Sequence, residues 1–367
     1  MKIVIIQGAF LPVPPILGGA VEKMWFFLGK EFAKMGHEVV HISRKVDSLP
    51  MNETIEGVNY FRVAGFATPK SGLILKIMDL IYTLRVRKLM PKDFDIVVGN
   101  TFWTPLVLKR NAISACMVDV QRMPKGQMKL YKNARCLRAN SNSVVEAIKN
   151  ELSEKHHHKI AMVPNPLPFI PKYEIDFSKK EKIILYTGRI HPEKGLDLLI
   201  QAYKKTSQNY KLQIIGPWEF SQGGGGATYL ESLKVLAEDA AVEFLEPIFD
   251  IEKLNDHYIK ASIFIYPSMA EKGETFGLAP LEAMSWGCVP IVSDLLCFKD
   301  FITHGKNGLV FDHRSDDAIS HIVKLVHLLE SDSRYTKKLA SEALGVRETH
   351  SISNIAGLFI KQFEQTV

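Results

Sequence analysis

The stretch 261-ASIFIYPSMAEKGETFGLAPLEAMSWGCVPIVS-293 holds a strand, a loop, a helix and a second strand in one run. Ala261 to Tyr266 is apolar, rich in β-formers and closed by Pro267, and Val289 to Val292 repeats that signature. Between them Pro280 fits the first turn of a helix, where its missing N–H costs nothing, and Gly287 fits the stop. The amides of Phe276, Gly277 and Leu278 then fall at a helix N-terminus beside the carboxyl end of a strand, a seat for phosphate. Glu274 and Glu282 flank that seat. A carboxylate repels phosphate, so hydroxyl groups are the partners expected for these two.

The same plan recurs upstream in 183-IILYTGRIHPEKGLDLLI-200, where a strand to Thr187 meets a basic loop, Gly188 to Gly195, and a helix from Leu196. Arg189 offers a planar fork for phosphate oxygens and Lys194 a compact charge. Such cations are ordinarily solvated surface, and their place at a strand's carboxyl end raises a ligand grip to an equal alternative. Leu212 to Gly216 reads as the next strand, followed by Pro217-Trp218 and the run Gly223 to Gly226, expected as a mobile flap. No Gly-Lys-Ser/Thr follows those glycines, so they make no P-loop. Val242 to Leu245 adds a strand, and Ile319 to Glu330 and Ile352 to Phe363 close the chain as helices.

In the first half, Lys2 to Ile6 is a buried type of strand, and a Gly- and Pro-rich turn leads through Gly18 and Gly19 to a helix from Ala20 to Met35. Gly36 to Ser43 returns as a strand and completes a βαβ unit. The turn lacks G-x-G-x-x-G, so no dinucleotide fingerprint is present, and Gly18-Gly19 stays open as structural turn or ligand loop. Strands are predicted over Gly57 to Val63 and Asp95 to Val98, with a helix over Gly72 to Met90 between them. That helix has a very wide apolar face flanked by Lys70, Lys76, Arg85, Arg87 and Lys88. It reads either as core packing or as a basic interfacial helix on anionic lipid.

Two metal-like patterns are set aside. Asp93-Phe94-Asp95 has D-x-D spacing but precedes the apolar run Ile96 to Val98, where carboxylates are a solvated strand entry. His156 to His158 are consecutive in a polar loop and do not share a face. No metal site is expected. Asn140 to Ile148 is a capped helix start, and from the proline-rich Ile160 to Pro168 onward to Lys182 the chain is polar like a linker. Strands and helices alternate in both halves, which makes the fold class α/β, with two doubly wound Rossmann-like domains facing a cleft.

At 367 residues two domains are the favoured count, and 46% hydrophobic with 23% charged residues is ordinary for a soluble globular protein. The balance of 46 Lys+Arg against 40 Asp+Glu gives +6, which suits anionic ligands or a membrane surface and does not argue for nucleic acid. The 4 cysteines form no C-x-x-C pair, and Cys116 and Cys288 sit in apolar runs like reduced core residues of a cytosolic protein. Met1 to Ile6 is too short for a signal peptide, and no apolar run approaches the ~20 residues of a membrane span. A cytoplasmic protein is expected, with any membrane contact peripheral and at the inner face.

Gly188-Arg189 followed by Lys194-Gly195, then Glu274 and Glu282 with seven residues between, resembles the retaining GT-B glycosyltransferases of family 4, the glycosyl transferases group 1. Gly18-Gly19 and Gly36-His37-Glu38-Val39 stand where such enzymes carry their N-terminal motifs, and the flavour is that of bacterial lipopolysaccharide-core and polysaccharide transferases. The resemblance implies a GT-B architecture with domains over 1–168 and 169–349, the first joined by a C-terminal helix over 350–367. It implies a sugar of hexose type moved from a nucleotide diphosphate, UDP foremost, to a glycan or lipid-linked acceptor, with no cofactor.

By position, Arg189, Lys194 and the amides of Phe276, Gly277 and Leu278 would neutralise the donor diphosphate in place of a metal. Gly19 would approach it through its backbone, Glu282 would bind ribose hydroxyls and Glu274 the donor sugar. Two departures stand out. No histidine follows the strand Ala115 to Arg122, where Asp119 or Gln121 is the nearest polar substitute, and Asn165-Pro166 replaces an Asn-Gly turn. Asp119 is open as a catalytic carboxylate or as a structural one. A nucleotide-sugar epimerase of the same plan, or a non-catalytic glycan-binding subunit, is the alternative reading.

Overall fold

The computed structural model describes residues 1–366 and divides into two compact units, Met1–Phe169 with the segment from His350 onward, and Ile170–Thr349. The first is an eight-stranded sheet built from β1 (Lys2–Ile6), β2 (Glu38–Arg44), β3 (Asn52–Ile55), β4 (Val58–Val63), β5 (Ile96–Gly99), β6 (Cys116–Val120), β7 (Cys136–Ala139) and β8 (Ile160–Met162). Its order is β3-β4-β2-β1-β5-β6-β7-β8, and every pairing is parallel except β3 with β4. Successive side chains of β1 leave on opposite faces. Ile3 and Ile5 pack with Trp25, Leu28 and Phe32 of helix α1 (Ala20–Lys34) and with Phe359 and Phe363 of the C-terminal helix Ile352–Thr366. Val4 and Ile6 pack with Tyr82 and Val86 of helix α2 (Gly72–Leu89). Both faces are therefore covered, which is why β1 is apolar from Ile3 to Ile6.

The C-terminal helix is held by aromatic contact, with Trp25 and Phe359 centroids 5.1 Å apart and Phe32 and Phe363 5.8 Å apart. At the far edge the turn through Glu56 (φ 47°) and Gly57 (φ 83°) reverses the chain from β3 into β4. Of the two readings of helix α2, core packing does not hold for its wide apolar face: its buried side chains are Asp79, Tyr82, Thr83 and Val86, and most of its leucines and isoleucines are exposed. Asp93 and Asp95 lie at the amino end of β5, Asp93 on the Lys2 ammonium at 3.1 Å and Asp95 on the Lys2 amide at 2.7 Å.

The second unit is an all-parallel sheet of β9 (Glu181–Thr187), β10 (Lys211–Ile215), β11 (Val242–Leu245), β12 (Ala261–Tyr266), β13 (Val289–Ser293) and β14 (Leu309–Phe311), in the order β11-β10-β9-β12-β13-β14. Successive connections run outward from β9 on one side and from β12 on the other. The loops after these two neighbours therefore diverge, and an open α/β sheet receives a ligand at such a switch point.

Candidate active site

Lys194 and Glu274 are brought together at the carboxyl ends of β9 and β12. Lys194 closes a single helical turn, Pro192–Lys194, and is 5% exposed. Its Nζ donates to Glu274 Oε2 at 2.7 Å and lies 5.3 Å from the centroid of the Tyr266 ring. Gly195 follows with φ 65°, and a Cβ there would stand 2.3 Å from the carbonyl oxygen of Pro267, so the lysine turn fits against the end of β12 only with glycine next to it. Tyr266 stacks on Tyr186 of β9 with centroids 5.5 Å apart and planes 10° apart, making an aromatic floor beneath the cation. Burial and the Glu274 charge hold the Tyr266 hydroxyl well above its ordinary pKa, so it stays protonated.

Arg189 is half-exposed. It donates through Nη1 to the Gly223 carbonyl and through Nη2 to Glu193 Oε1, both at 2.7 Å. The tetraglycine is anchored rather than set out as a flap: the amides of Gly224, Gly225 and Gly226 donate to the carbonyls of Glu219, Ile190 and Trp218. Its lack of side chains serves close packing, since a Cβ at Gly224 would lie 2.2 Å from the Trp218 carbonyl. Beside Gly223 a cavity of about 290 Å³ opens after β10 and β11, lined by Pro217, Trp218, Glu219, Gln222, Glu246, Pro247 and Phe249.

The helix after β12 runs Leu278–Ser285, with Gly277 as its N-cap at φ 79°. A Cβ at Gly277 would meet the Phe298 ring at 2.3 Å, so both the backbone and the neighbour demand glycine. Leu278 opens the helix and Pro280 lies in its first turn, where the leading N–H groups have no intrahelical acceptor. Phe276 turns its ring into the core, 5.5 Å from Phe301. Glu282 is 9% exposed and accepts from the Tyr258 hydroxyl at 3.0 Å, and that hydroxyl is 2.5 Å from Thr187 Oγ1 at the end of β9. Tyr186 and Tyr266 escape a motif search because each lies inside an ordinary apolar strand, and Tyr258 because it lies in the amphipathic helix Ile251–Lys260; only the fold gathers them.

In the first unit Gly19 precedes α1 with φ 100°, and a Cβ there would lie 2.2 Å from Glu22 Oε2. Glu22 is pushed to higher pKa by burial, against the opposing pull of Arg122. Asp119 is not a sugar-facing carboxylate. Its side chain is fully buried, with Oδ1 on Arg138 Nη1 at 2.8 Å and Oδ2 on Trp25 Nε1 at 2.8 Å and Gln121 Nε2 at 2.9 Å. Arg138 donates in turn to Asn165 Oδ1 at 2.8 Å, and Asn165 Nδ2 to Gln121 Oε1 at 3.2 Å. A carboxylate this fully engaged ties α1, β6 and the segment after β8 together, which corrects its reading as a catalytic group. Among the described residues no three His, Cys, Asp or Glu side chains gather as a metal-holding group.

Residues 172–343 match the family model of Glycosyl transferases group 1. An uncharacterized glycosyltransferase of Methanocaldococcus jannaschii is 25% identical over 97% of this chain and 96% of its own length. The lipopolysaccharide 1,2-N-acetylglucosaminetransferase of Salmonella typhimurium is 26% identical over 53% of this chain, a match that spans 51% of that enzyme. Among solved structures, sucrose-phosphate synthase from Thermosynechococcus elongatus superposes with TM-score 0.79 at 18% identity, covering 100% of this chain and 98% of the other. HepE of Anabaena in complex with UDP and glucose gives 0.71 at 16%, covering 100% of each. At those identities the structural likeness fixes the fold, while the family match fixes the second unit: residues 172–343 are a glycosyl transferases group 1 domain, in a glycosyltransferase chain of the GT-B fold.

Proposed function

We propose that the protein transfers a hexose-type sugar, with retention and without a metal, from a nucleotide-diphosphate sugar to a glycan or lipid-linked acceptor of cell-surface polysaccharide synthesis. The observation that carries this is the Lys194–Glu274 pair, a buried cation and a carboxylate set side by side where two neighbouring strands end. Lys194 and Arg189 supply charge for the diphosphate, and the helix start at Gly277 and Leu278 adds partial positive charge. Glu282, held by Tyr258, takes the ribose hydroxyls, and Glu274 takes hydroxyls of the sugar. The cavity between Trp218 and Phe249 has the walls to take the nucleobase. HepE, which shares the fold, is solved with UDP and glucose, and this supports a UDP-sugar as donor.

In the reaction the bond from the anomeric carbon to the leaving phosphate oxygen breaks while the acceptor oxygen bonds to that carbon on the same face. The acceptor proton passes to the departing phosphate. The protein's part is to hold the diphosphate and stabilise the charge that gathers on it.

Thermal shift against a panel of UDP-, GDP-, ADP- and dTDP-sugars tests the donor. A ligand at about 100 times its Kd adds about 2.7 kcal/mol of stability. Product analysis by NMR then tests the reaction. An α-linked product from an α-linked donor, formed only with acceptor and insensitive to chelator, is the result expected. A sugar epimerised without acceptor makes the chain an epimerase, and donor binding with no product for any acceptor makes it a binding subunit; either overturns the proposal.

A further inference from the structure

Helix α2 leaves most of its apolar surface outside. The side that meets the protein is mixed: Tyr82 and Val86 join the core, while Asp79 and Thr83 are buried beside them, Asp79 Oδ2 accepting from the Phe102 amide at 3.1 Å and Thr83 Oγ1 lying 3.2 Å from Thr101 Oγ1. Trp103 Nε1 adds a bond to the Lys76 carbonyl at 2.7 Å, so this seating is specific. The side that meets solvent is apolar. Leu73 is 71% exposed, and Ile74, Ile77, Ile81 and Leu84 lie beside it at 40% or more. Their spacing of one, three, four and three residues keeps them on a single stripe of the helix, opposite Asp79, Tyr82, Thr83 and Val86. A continuous apolar stripe left in water marks a surface that something else covers.

The charges around the stripe say what. From 70 to 90 the chain carries Lys70, Lys76, Arg85, Arg87 and Lys88 against one carboxylate, the buried Asp79. A second copy offering the same face would set cations against cations with no carboxylate to match them. A bilayer with anionic headgroups supplies phosphates for the lysines and arginines, and acyl chains for the leucines and isoleucines. We infer that α2 is a membrane-surface helix, lying in the interface of an anionic bilayer with the Leu73–Leu84 stripe inserted and the flanking cations at headgroup level. The inference is independent of the donor reading, since it uses no nucleotide and no residue of the second unit.

Co-sedimentation of the full chain with vesicles tests it, using phosphatidylcholine alone and phosphatidylcholine mixed with phosphatidylglycerol, at low and high salt. The full chain is expected to sediment with the mixed vesicles at low salt and to be released at high salt. Each cation near an anionic surface adds about fivefold to partitioning, so Arg87→Gln/Lys88→Gln together are expected to weaken it about 25-fold. Ile77→Glu/Ile81→Glu is expected to abolish it, with the melting temperature unchanged because neither side chain packs inside. If that pair of glutamates prevents folding, the Arg87→Gln/Lys88→Gln variant carries the test. No sedimentation with anionic vesicles, or full sedimentation in both variants, overturns the inference. So does a dimer in solution that Ile77→Glu/Ile81→Glu dissociates without any vesicle binding, which would give the face to a second copy.

Discussion

Lys194 Nζ donates to Glu274 Oε2 at 2.7 Å with both side chains nearly buried, so the cation expected to receive phosphate already has a carboxylate counter-ion. This pairing stabilises a charge that burial alone would make costly. It also sets the two groups in competition, because a bound diphosphate must share Lys194 with Glu274.

From that competition the two substitutions are expected to diverge. Lys194→Ala removes a charge-assisted bond of about 1.5 to 3 kcal/mol and weakens binding of the bare nucleotide diphosphate about 10- to 150-fold. Glu274→Gln releases the lysine from its counter-ion, so affinity for the bare nucleotide holds or rises while transfer to acceptor falls. Calorimetry with UDP and a turnover assay separate them. Equal loss of nucleotide affinity in both variants would show that Glu274 binds the nucleotide rather than the sugar.

Asp119 and Arg138 are both fully buried, and removing one partner of such a pair costs about 3 to 5 kcal/mol because the other is left uncompensated. Asp119→Asn is therefore expected to lower stability in chemical denaturation while leaving turnover per folded molecule near wild type. Arg138→Met is expected to do the same, and the double variant to lose less than the sum, as coupled neighbours do. An Asp119→Asn enzyme of normal stability but collapsed turnover would return that carboxylate to the chemistry.

Much of this was legible in the sequence, and for physical reasons. Parallel strands buried on both faces are short apolar runs, so β1, β9, β12 and β13 announce themselves, and glycines such as Gly195 and Gly277 mark places where backbone or ring leaves no room for a Cβ. β7 was silent because its four residues include Arg138, an arginine that is buried only through Asp119 and Asn165, partners distant in sequence. β3 was silent because it is an exposed, polar edge strand. Periodicity found α2 and its apolar width but could not say which side faces inward, since Asp79 and Thr83 are buried through bonds to the segment Thr101–Thr104 that no local pattern contains.

Asp79 also makes stability depend on pH. Burial pushes its carboxyl up to about 6 from 3.8, against the opposing amide bonds of Phe102 and Trp103. The folded state then holds a proton that the unfolded chain has released, so this group's contribution is most favourable below pH 3.8 and declines as pH rises toward 6. The decline is about 3 kcal/mol at one pKa unit per 1.36 kcal/mol. Asp79→Asn, which cannot ionise, is expected to gain stability on wild type across that window and to keep a constant advantage above it. Urea denaturation at a series of pH values measures this. A wild-type to variant difference that stays flat from pH 4 to 7 would mean that Asp79 keeps its charge in the folded state.

The Tyr258 hydroxyl stands between Thr187 at the end of β9 and Glu282 in the helix after β12, 2.5 Å from one and 3.0 Å from the other. Burial and the Glu282 charge hold that hydroxyl well above its ordinary pKa, so it donates its proton and does not lose it. Donation to Glu282 stabilises the carboxylate and sets its orientation, which makes Tyr258 a positioning residue for any hydroxyl the glutamate receives. Tyr258→Phe keeps the ring and its packing on Phe264, whose centroid is 5.9 Å away, and removes only the donor. Losing one such bond to a charged group costs about 1.5 to 3 kcal/mol, and part of that is expected to appear as weaker UDP binding with kcat for transfer little changed. The ribose assignment predicts a further split: affinity for UDP falls, while affinity for inorganic pyrophosphate, which has no ribose, stays at the wild-type value. Equal weakening toward both ligands would mean that the substitution disturbs the diphosphate site as a whole, and Glu282 would lose its assignment to the sugar of the nucleotide.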